Sequence, residues 1–213
     1  MSELTLTFDN GPHAEATPLV LDILSRHDVK TTFFVVGERL ASPEMRGLVE
    51  RAHDEGHWIG NHTWSHATPL GQQPDEQVAT CEIDRTQALI GDLSHPDRLF
   101  RPFGGGGRLG PHLLSPHTID VLKTGGYTCV LWNAVPRDWA DPDDWVDTAL
   151  AQCAAITSPL MVLHDVGSGA MAHLDRFLGV LRDRGVNIRQ DFPPECVPIS
   201  RGQVVSSLAT YSA

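Results

Sequence analysis

The stretch LTFDNGP, residues 6–12, shows the local pattern from which the whole chain is built. The alternating run at residues 4–8 is typical of a buried strand, and the following Asn-Gly-Pro sequence ends that strand in a turn. Asp9 and Asn10 therefore lie at the carboxyl end of the strand. Because Asp and Asn also favour ordinary turns, this one strand end does not identify a site by itself.

The same pattern continues outward, with short apolar runs separated by sequences of helical periodicity. Further strands are predicted at residues 30–37, 57–62, 98–100, 127–135, 158–165 and 186–190. Helices are predicted at residues 17–28, 42–56, 74–91, 118–126, 141–156 and 171–185. Three of these helices open with a polar cap and a proline, namely Thr17 with Pro18, Ser42 with Pro43, and Asp141 with Pro142. The tail from Asp191 is predicted to be loop.

This alternation predicts one α/β domain over residues 1–213, with about seven parallel strands. Both a barrel and an open doubly wound sheet fit the element order. Five predicted strands end in side chains that can take part in catalysis: Asp9 with Asn10, His62, Arg101, Asp138, and His164 with Asp165. A barrel opens all its strand ends onto one face, whereas an open sheet gathers them only near one crevice. The ring of five favours a distorted (β/α) barrel.

Composition narrows the possible partners. The net charge of -11 argues against nucleic acid and against anionic membranes, because both bind basic surfaces. No segment reaches the roughly 20 apolar residues of a membrane span, and the N-terminus has no signal-peptide pattern, so we expect a cytoplasmic protein. The four cysteines lie far apart, and we expect buried reduced thiols.

His62 and His66 are four residues apart, a spacing that places two imidazoles on one face of a helical turn. Such a pair supplies two metal ligands when an oxygen ligand is near, and the amide of Asn10 could be that oxygen. Two surface histidines would show the same spacing, so the pattern alone leaves both interpretations open.

The remaining strand-end residues suit the hydrolysis of an amide, which needs a base for water and an acid for the departing amine. Asp9 can be the base and His164 the acid. Arg101 would hold Asp9 ionised, and Asp138 would keep the imidazolium of His164 protonated. A structural ion pair for Arg101 and a turn or cap role for Asp138 remain alternatives.

The glycine run at residues 104–107 lacks the spacing of a phosphate-binding loop and is better explained as a flexible loop that lets substrate approach. Four aromatic residues near the strand ends would line a sugar groove or belong to the core: Trp64, Phe103, Trp132 and Trp139.

In these motifs the chain resembles the NodB-type polysaccharide deacetylases of carbohydrate esterase family 4. TFDNGP is similar to the family's T-F-D-D-G-P, HTWSH to its histidine metal motif, and RPFG to its R-P-x-G loop. RDW at residues 137–139 and LMVLHD at residues 160–165 are similar to the last two family motifs, and the five occur in family order.

The resemblance implies a distorted (β/α) barrel that removes N-acetyl groups from amino sugars with the help of a divalent metal ion, zinc being the first candidate. It implies Asp9 as base, His164 as acid, Arg101 and Asp138 as their supports, and a metal site of residue 10 with His62 and His66. The chain departs from the family at Asn10, which replaces a carboxylate ligand. A neutral amide is the poorer ligand, so we expect metal binding to be weakened or lost.

Three functions follow from these residues. The first is the N-deacetylation of a small or oligomeric N-acetylated sugar, such as a chitooligosaccharide. The second is a metal-weak or metal-free hydrolase of a cyclic ureide on the same fold, to which Asn10 is the relevant clue. The third is a non-catalytic carbohydrate-binding protein, against which the retained base and acid argue. The sequence leaves the oligomeric state open.

Overall fold

The computed structural model describes residues 3–73 and 75–212. Its strands are β1 (Glu3–Asp9), β2 (Thr32–Val35), β3 (Trp58–Asn61), β4 (Leu99–Phe100), β5 (Thr128–Cys129), β6 (Leu160–His164), β7 (Asn187–Arg189), β8 (Ile199–Ser200) and β9 (Gln203–Val204). Its helices are α1 (Ala16–Arg26), α2 (Gly37–Leu40), α3 (Pro43–Asp54), α4 (Glu76–Ile90), α5 (Pro116–Thr124), α6 (Trp145–Ala155) and α7 (Leu174–Asp183).

The strands form one sheet in which every pairing among β1 to β7 is parallel. The order runs β6-β1-β2-β3-β4-β5, and β7 also pairs with β1. The chain after β5 pairs with β6 through a parallel bridge between Ala134 and Met161. This bridge joins the two edges of the parallel sheet and closes it. The predicted distorted barrel is thus confirmed, and the open doubly wound alternative is wrong.

The alternation in β1 has a direct structural meaning. Leu4, Leu6 and Phe8 have no solvent exposure and belong to the core layer between the sheet and the helices, together with residues of α1 and α7. Thr7 and Asp9 occupy the alternate positions and point to the opposite face, where both contact Arg101. Successive side chains of a strand alternate between its two faces, so the pattern of the first strand separates the core from the site.

Some predicted helix starts are confirmed and others are wrong. Ser42 caps α3, with its hydroxyl accepting the Met45 N–H at 3.2 Å, and Pro43 is the first helical residue. Helix α1 instead begins at Ala16, so Thr17 lies inside it and donates its hydroxyl to Asp165 at 2.5 Å. Long-range contact has therefore replaced local capping at Thr17.

Helix α6 begins later than predicted, at Trp145 with Asp144 in the cap position, so Asp141 and Pro142 precede it. The tail beyond Asp191 is not only loop, because β8 and β9 form an antiparallel hairpin that pairs with β5. Of the predicted helix at 74–91, residue 74 lies outside the described residues.

The cysteines are free, and three are buried as expected, whereas Cys81 is exposed on α4. Within residues 3–73 and 75–212, none of the helices combines the length and the apolar character needed to cross a membrane.

Candidate active site

The strand ends meet in one pocket of about 210 Å³ at the carboxyl end of the barrel. Asp9 and His164 are paired residues of the adjacent parallel strands β1 and β6, so the sheet register itself sets them side by side. The pocket is lined by Asp9, Asn10, His62, His66, Phe103, the glycines 104–107, Trp132, Val135, Trp139, Val162 and His164. Arg101 and Asp138 lie behind this lining and are fully buried.

Arg101 holds Asp9 in position from beneath the pocket. Its Nη1 donates to Oδ1 of Asp9 at 2.8 Å and to the Thr7 hydroxyl at 2.7 Å. Nε donates to the Val130 carbonyl at 3.1 Å, and the guanidinium lies 4.0 Å from the centre of the Phe34 ring. A buried guanidinium must be paired and hydrogen-bonded, so Arg101 and Asp9 depend on each other.

His164 is held by Asp138 through two hydrogen bonds. Nδ1 of the ring lies 2.8 Å from Oδ1 of Asp138, and the His164 backbone N–H donates to Oδ2 at 2.9 Å. Burial by itself lowers the pKa of His164, but the hydrogen bond and charge of Asp138 outweigh it and leave the pKa raised. The arrangement favours an imidazolium whose Nε2 side is available to the pocket, where the Trp139 ring meets it edge-on at 4.5 Å between centroids.

His62 and His66 present neutral imidazoles to the pocket. Burial lowers the pKa of His62 despite the nearby Asp9 charge. Burial is also the largest cause of the lowered pKa of His66, and the neighbouring His62 is the second; together they bring it to about 2. Nδ1 of His62 is 2.8 Å from the Arg101 carbonyl, so it carries the hydrogen and leaves a lone pair on Nε2. Neutral imidazole with the other nitrogen bonded to a carbonyl is the usual form of a metal-binding histidine.

Two further contacts favour a cation between these groups. Nε2 of His62 lies 3.5 Å from Oδ2 of Asp9, so that two lone pairs approach each other. Among residues 3–73 and 75–212, Oδ1 of Asn10 is buried without a hydrogen-bond partner, although the side chain lines the same pocket. A divalent ion bound to Nε2 of His62 and Oδ1 of Asn10 would satisfy both of these lone pairs and leave Oδ2 of Asp9 for water, so the residues present fit a metal. In the described part of the chain no three His, Cys, Asp or Glu side chains are arranged to hold an ion, and the amide of Asn10 is needed as the third donor.

The histidine pair reaches this arrangement without the helical turn that its spacing predicted. Residues 62–66 form an irregular loop in which Thr63 and His66 have positive φ, and the two rings are 4.8 Å apart. Glu82 of α4 shapes the loop, accepting the backbone N–H groups of Trp64 at 2.9 Å and Ser65 at 2.8 Å. Nothing in the sequence pointed to this role of Glu82.

The glycine run and three of the four aromatic residues form the apolar wall of the pocket. Nε1 of Trp132 donates to the Gly107 carbonyl at 2.9 Å and so fixes the loop across the pocket. A Cβ on Gly104 would lie 2.7 Å from the Trp132 ring, so only glycine allows this close approach. Trp64 is the exception, since it lies under Arg85 of α4 and does not line the pocket.

Two residues lie behind the turn at 9–12, of which the sequence reasoning missed Arg39 and named Asp165 only as a strand-end residue without a separate role. Arg39 of α2 donates to the Asn10 carbonyl at 2.7 Å. Asp165 is buried beneath Gly11, and burial raises the pKa of its carboxyl to about 7 in spite of the hydrogen bond from Thr17. The sequence LHD gave a hint for Asp165, but nothing in it distinguished Arg39 from other surface arginines.

Comparison with known proteins gives a consistent result. The sequence profile of the family described as "Polysaccharide deacetylase" matches residues 2–130. The peptidoglycan-N-acetylglucosamine deacetylase PgdA of Listeria monocytogenes is 31% identical over 184 residues, which cover 85% of this chain but only 36% of that relative. The chain thus spans about a third of the length of this larger protein.

Two other proteins match over most of both chains. The chitooligosaccharide deacetylase of Sinorhizobium fredii is 31% identical over 205 residues, covering 86% of this chain and 87% of the relative. A family 4 carbohydrate esterase from Streptomyces lividans, solved in complex with acetate, superposes with a TM-score of 0.74 and 25% identity over 92% of this chain and 96% of that one.

The family resemblance predicted from the five motifs is confirmed by the profile match, by the curated relatives and by the solved fold. Deacetylases of this family generally depend on a divalent metal ion, and the donors of the pocket are compatible with one. The chain belongs to the polysaccharide deacetylase family.

Proposed function

We propose that this chain is a hydrolase that removes the N-acetyl group from an amino sugar within a glycan or oligosaccharide. Hydrolysis adds water across the amide C–N bond and yields acetate and a free amine. The observation that carries the proposal is the pairing of Asp9 and His164 on adjacent strands, at one pocket that also holds the candidate metal donors. The names of the relatives, deacetylases of peptidoglycan and of chitooligosaccharides, support the same substrate class.

In this proposal Asp9 is the general base. Its Oδ1 is engaged by Arg101 at 2.8 Å, which leaves Oδ2 to accept a proton from the attacking water. Arg101 orients the carboxylate and, being fully buried, cannot exchange it for a solvent partner. A positioned base of this kind contributes about 10²–10⁴-fold to the rate.

His164 is the general acid in the second half of the reaction. Its Nδ1 is committed to Asp138, so Nε2 is the nitrogen that donates a proton to the departing amine. The raised pKa of His164 favours the protonated ring, which is the form an acid needs.

Asn10, His62 and His66 would hold a divalent ion, for which zinc is the first candidate because two imidazoles with an oxygen donor suit it. Such an ion, when bound, polarises the amide carbonyl and stabilises negative charge on its oxygen. The apolar wall of Trp132, Val135 and Val162 is suited to the methyl of the acetyl group and keeps water from the acyl side.

The proposal is tested by acetate release from N-acetylated chitooligosaccharides and peptidoglycan fragments, with Asp9→Asn as the matched variant. Asparagine preserves the size of the side chain but cannot act as the base, so the rate should fall by at least about 10²-fold. The exposed Asp92→Asn serves as the surface control. Activity of Asp9→Asn close to that of the wild type would remove Asp9 from the mechanism.

The cyclic-ureide alternative is favoured by one observation, the amide at position 10 where the family has a carboxylate. It predicts ring opening of a ureide and no acetate release, with activity that survives chelation. Binding of chitooligosaccharides without any turnover would instead point to a non-catalytic carbohydrate-binding protein.

A further inference from the structure

Arg39 is a cation at the edge of the active site that has no anionic partner in the described part of the chain. Its one hydrogen bond runs from Nη1 to the Asn10 carbonyl, at 2.7 Å. Several other surface arginines of this acidic protein lie against carboxylates, as Arg176 does with Asp147 and Arg189 with Glu3, whereas Arg108, Arg137 and Arg184 share with Arg39 the lack of such a partner in the described residues. A guanidinium has five N–H donors, so most of those of Arg39 are available to a ligand.

His13 offers a second free donor beside it. Its Nδ1 accepts the backbone N–H groups of Glu15 at 3.3 Å and Ala16 at 3.2 Å, which places the ring hydrogen of the neutral form on Nε2. Nε2 makes no hydrogen bond within the described residues. A Cβ on Gly167 would lie 2.8 Å from Nε2, so only glycine allows the ring and the backbone at residue 167 to approach this closely.

Both donors line one surface depression of about 360 Å³, whose other walls are Pro12, Ala14, Met45, Val166 and Gly167. The turn at residues 10–13 separates it from the catalytic pocket. Asn10 lines the catalytic pocket with its side chain and binds Arg39 with its carbonyl. A substituent on a sugar bound at the catalytic pocket could therefore reach the depression across a single turn.

We propose that this depression binds a carboxylate substituent of the glycan, so that the preferred substrate is an acidic N-acetylated glycan and not a neutral one. The planar fork of an arginine matches the two oxygens of a carboxylate, and such charge-assisted bonds are stronger than neutral ones. Met45 and Val166 add apolar surface beside the two donors. This inference rests on the proposed deacetylase function.

The experiment compares substrates that differ only in the charge of one group. One pair is an N-acetylglucosamine–N-acetylmuramic acid tetrasaccharide with its lactyl carboxylates free or converted to primary amides. The other is an N-acetylglucosamine–glucuronic acid tetrasaccharide with its uronic carboxylates free or amidated. The wild type should favour the free acid in at least one pair by at least about tenfold in kcat/KM, mainly through KM. The pair that responds identifies the source of the carboxylate, and the preference should shrink as salt is added.

Three variants locate the effect. Arg39→Gln should lose about tenfold more in kcat/KM on the acid than on its amide, and Arg39→Lys should keep part of the preference. His13→Asn retains an acceptor for the α1 amides but removes the Nε2 donor, so it should lose a smaller part. Arg176→Gln, remote on α7, is the matched control.

Equal kcat/KM for acid and amide in both pairs would overturn this inference while leaving the deacetylase proposal standing. Equal losses on acid and amide in Arg39→Gln would also overturn it, because Arg39 would then act only by positioning the Asn10 turn. If the wild type released acetate from none of these substrates nor from chitooligosaccharides, the proposed function itself would fail.

Discussion

At the scale of single residues, Asn10 sets the expected strength of the candidate metal site. Its φ of 75° is left-handed, a conformation in which Asn and Asp are both enriched among non-glycine residues. The backbone therefore accepts either side chain, and the difference between them lies in the charge offered to an ion. Its unpartnered Oδ1 lies in the pocket without a bond that substitution would break.

Asn10→Asp should raise the affinity for zinc by at least about tenfold, because a carboxylate gains Coulomb energy with a divalent ion that an amide cannot. The measurement is a zinc titration of chelator-stripped wild type and variant. Activity at limiting metal should rise with affinity if the chain is a deacetylase and fall if it is a metal-free ureide hydrolase. Equal affinities would mean that Asn10 is not a ligand.

Asp138 controls the acid His164. Since Asp138 raises the pKa of the imidazole, its loss should lower that pKa, and the imidazolium should be lost at a lower pH. Asp138→Asn is expected to move the alkaline limb of the kcat/KM profile toward acid. An unmoved alkaline limb with a uniformly lower rate would show that Asp138 only holds the ring in place.

At the scale of elements, the turn that follows β1 depends on a close contact with β6 and the residue after it. A Cβ on Gly11 would lie 2.1 Å from Oδ2 of Asp165, a distance that no packing tolerates. The same carboxyl accepts the Thr17 hydroxyl from α1, so the turn is packed against both a strand and a helix. Gly11 is therefore required by close approach and not by an unusual backbone angle.

Gly11→Ala should displace this turn, costing about 1–3 kcal/mol of unfolding free energy and most of the activity. Asp165→Ala removes the atoms that the new methyl would strike, so the double variant should be more stable than the sum of the single effects. Urea unfolding of the four proteins gives the coupling energy. Additive effects would show that the clash is relieved elsewhere.

The sequence predicted those elements whose own residues carry the pattern. Strand β1 alternates over seven residues, and α3 has its cap and proline in place, so both were found. Strands β8 and β9 have two residues each, too few to show any period, and they exist because β5 offers an edge to pair with. Helix and strand signals in the sequence predicted the structure correctly only where no distant residue bound the same side chain.

The same distinction applies to the candidate site. Asp9 and His164 end strongly patterned strands, so the sequence predicted both on one face of a barrel, whereas their adjacency is set by the pairing of β1 with β6. Arg39 and Glu82 act through the backbone of other segments, which no spacing rule encodes. The i, i+4 spacing predicted that the two histidine rings lie close together, as they do, but it predicted a helical turn between them where the structure has an irregular loop.

At the scale of the whole molecule, the barrel is closed unevenly. Strand β1 pairs with β6 over five residues, whereas β4 and β5 pair over two and the final seam is a single bridge between Ala134 and Met161. The base and the acid lie on the best-paired strands. The glycine loop and Trp132, which line the substrate side, lie next to the weakest seam. This division places the catalytic pair on the two strands with the longest continuous pairing.

The global stability should carry a pH dependence that originates at Asp165. Burial raises the pKa of this carboxyl to about 7 in the folded protein, from 3.8 as the ordinary value, and Oδ1 has no hydrogen-bond partner in the part of the chain that the structure describes. A group whose folded pKa is raised contributes stability that is complete below its unfolded pKa and is lost as the pH rises through the folded pKa. The loss should therefore run from about pH 4 to pH 7.

Asp165→Asn removes this titration and keeps an oxygen for the Thr17 hydroxyl. In chelator-treated protein, the unfolding free energy of the variant minus that of the wild type should increase between pH 4 and pH 7, by at most about 1.4 kcal/mol per pH unit. Urea unfolding at several pH values measures this difference. Titrations that are common to both proteins cancel in it. The exposed Asp92→Asn is the control. A difference that stays constant over this range would show that Asp165 is ionised in the folded protein, held so by Thr17 and the Gly11 amide against the cost of its burial.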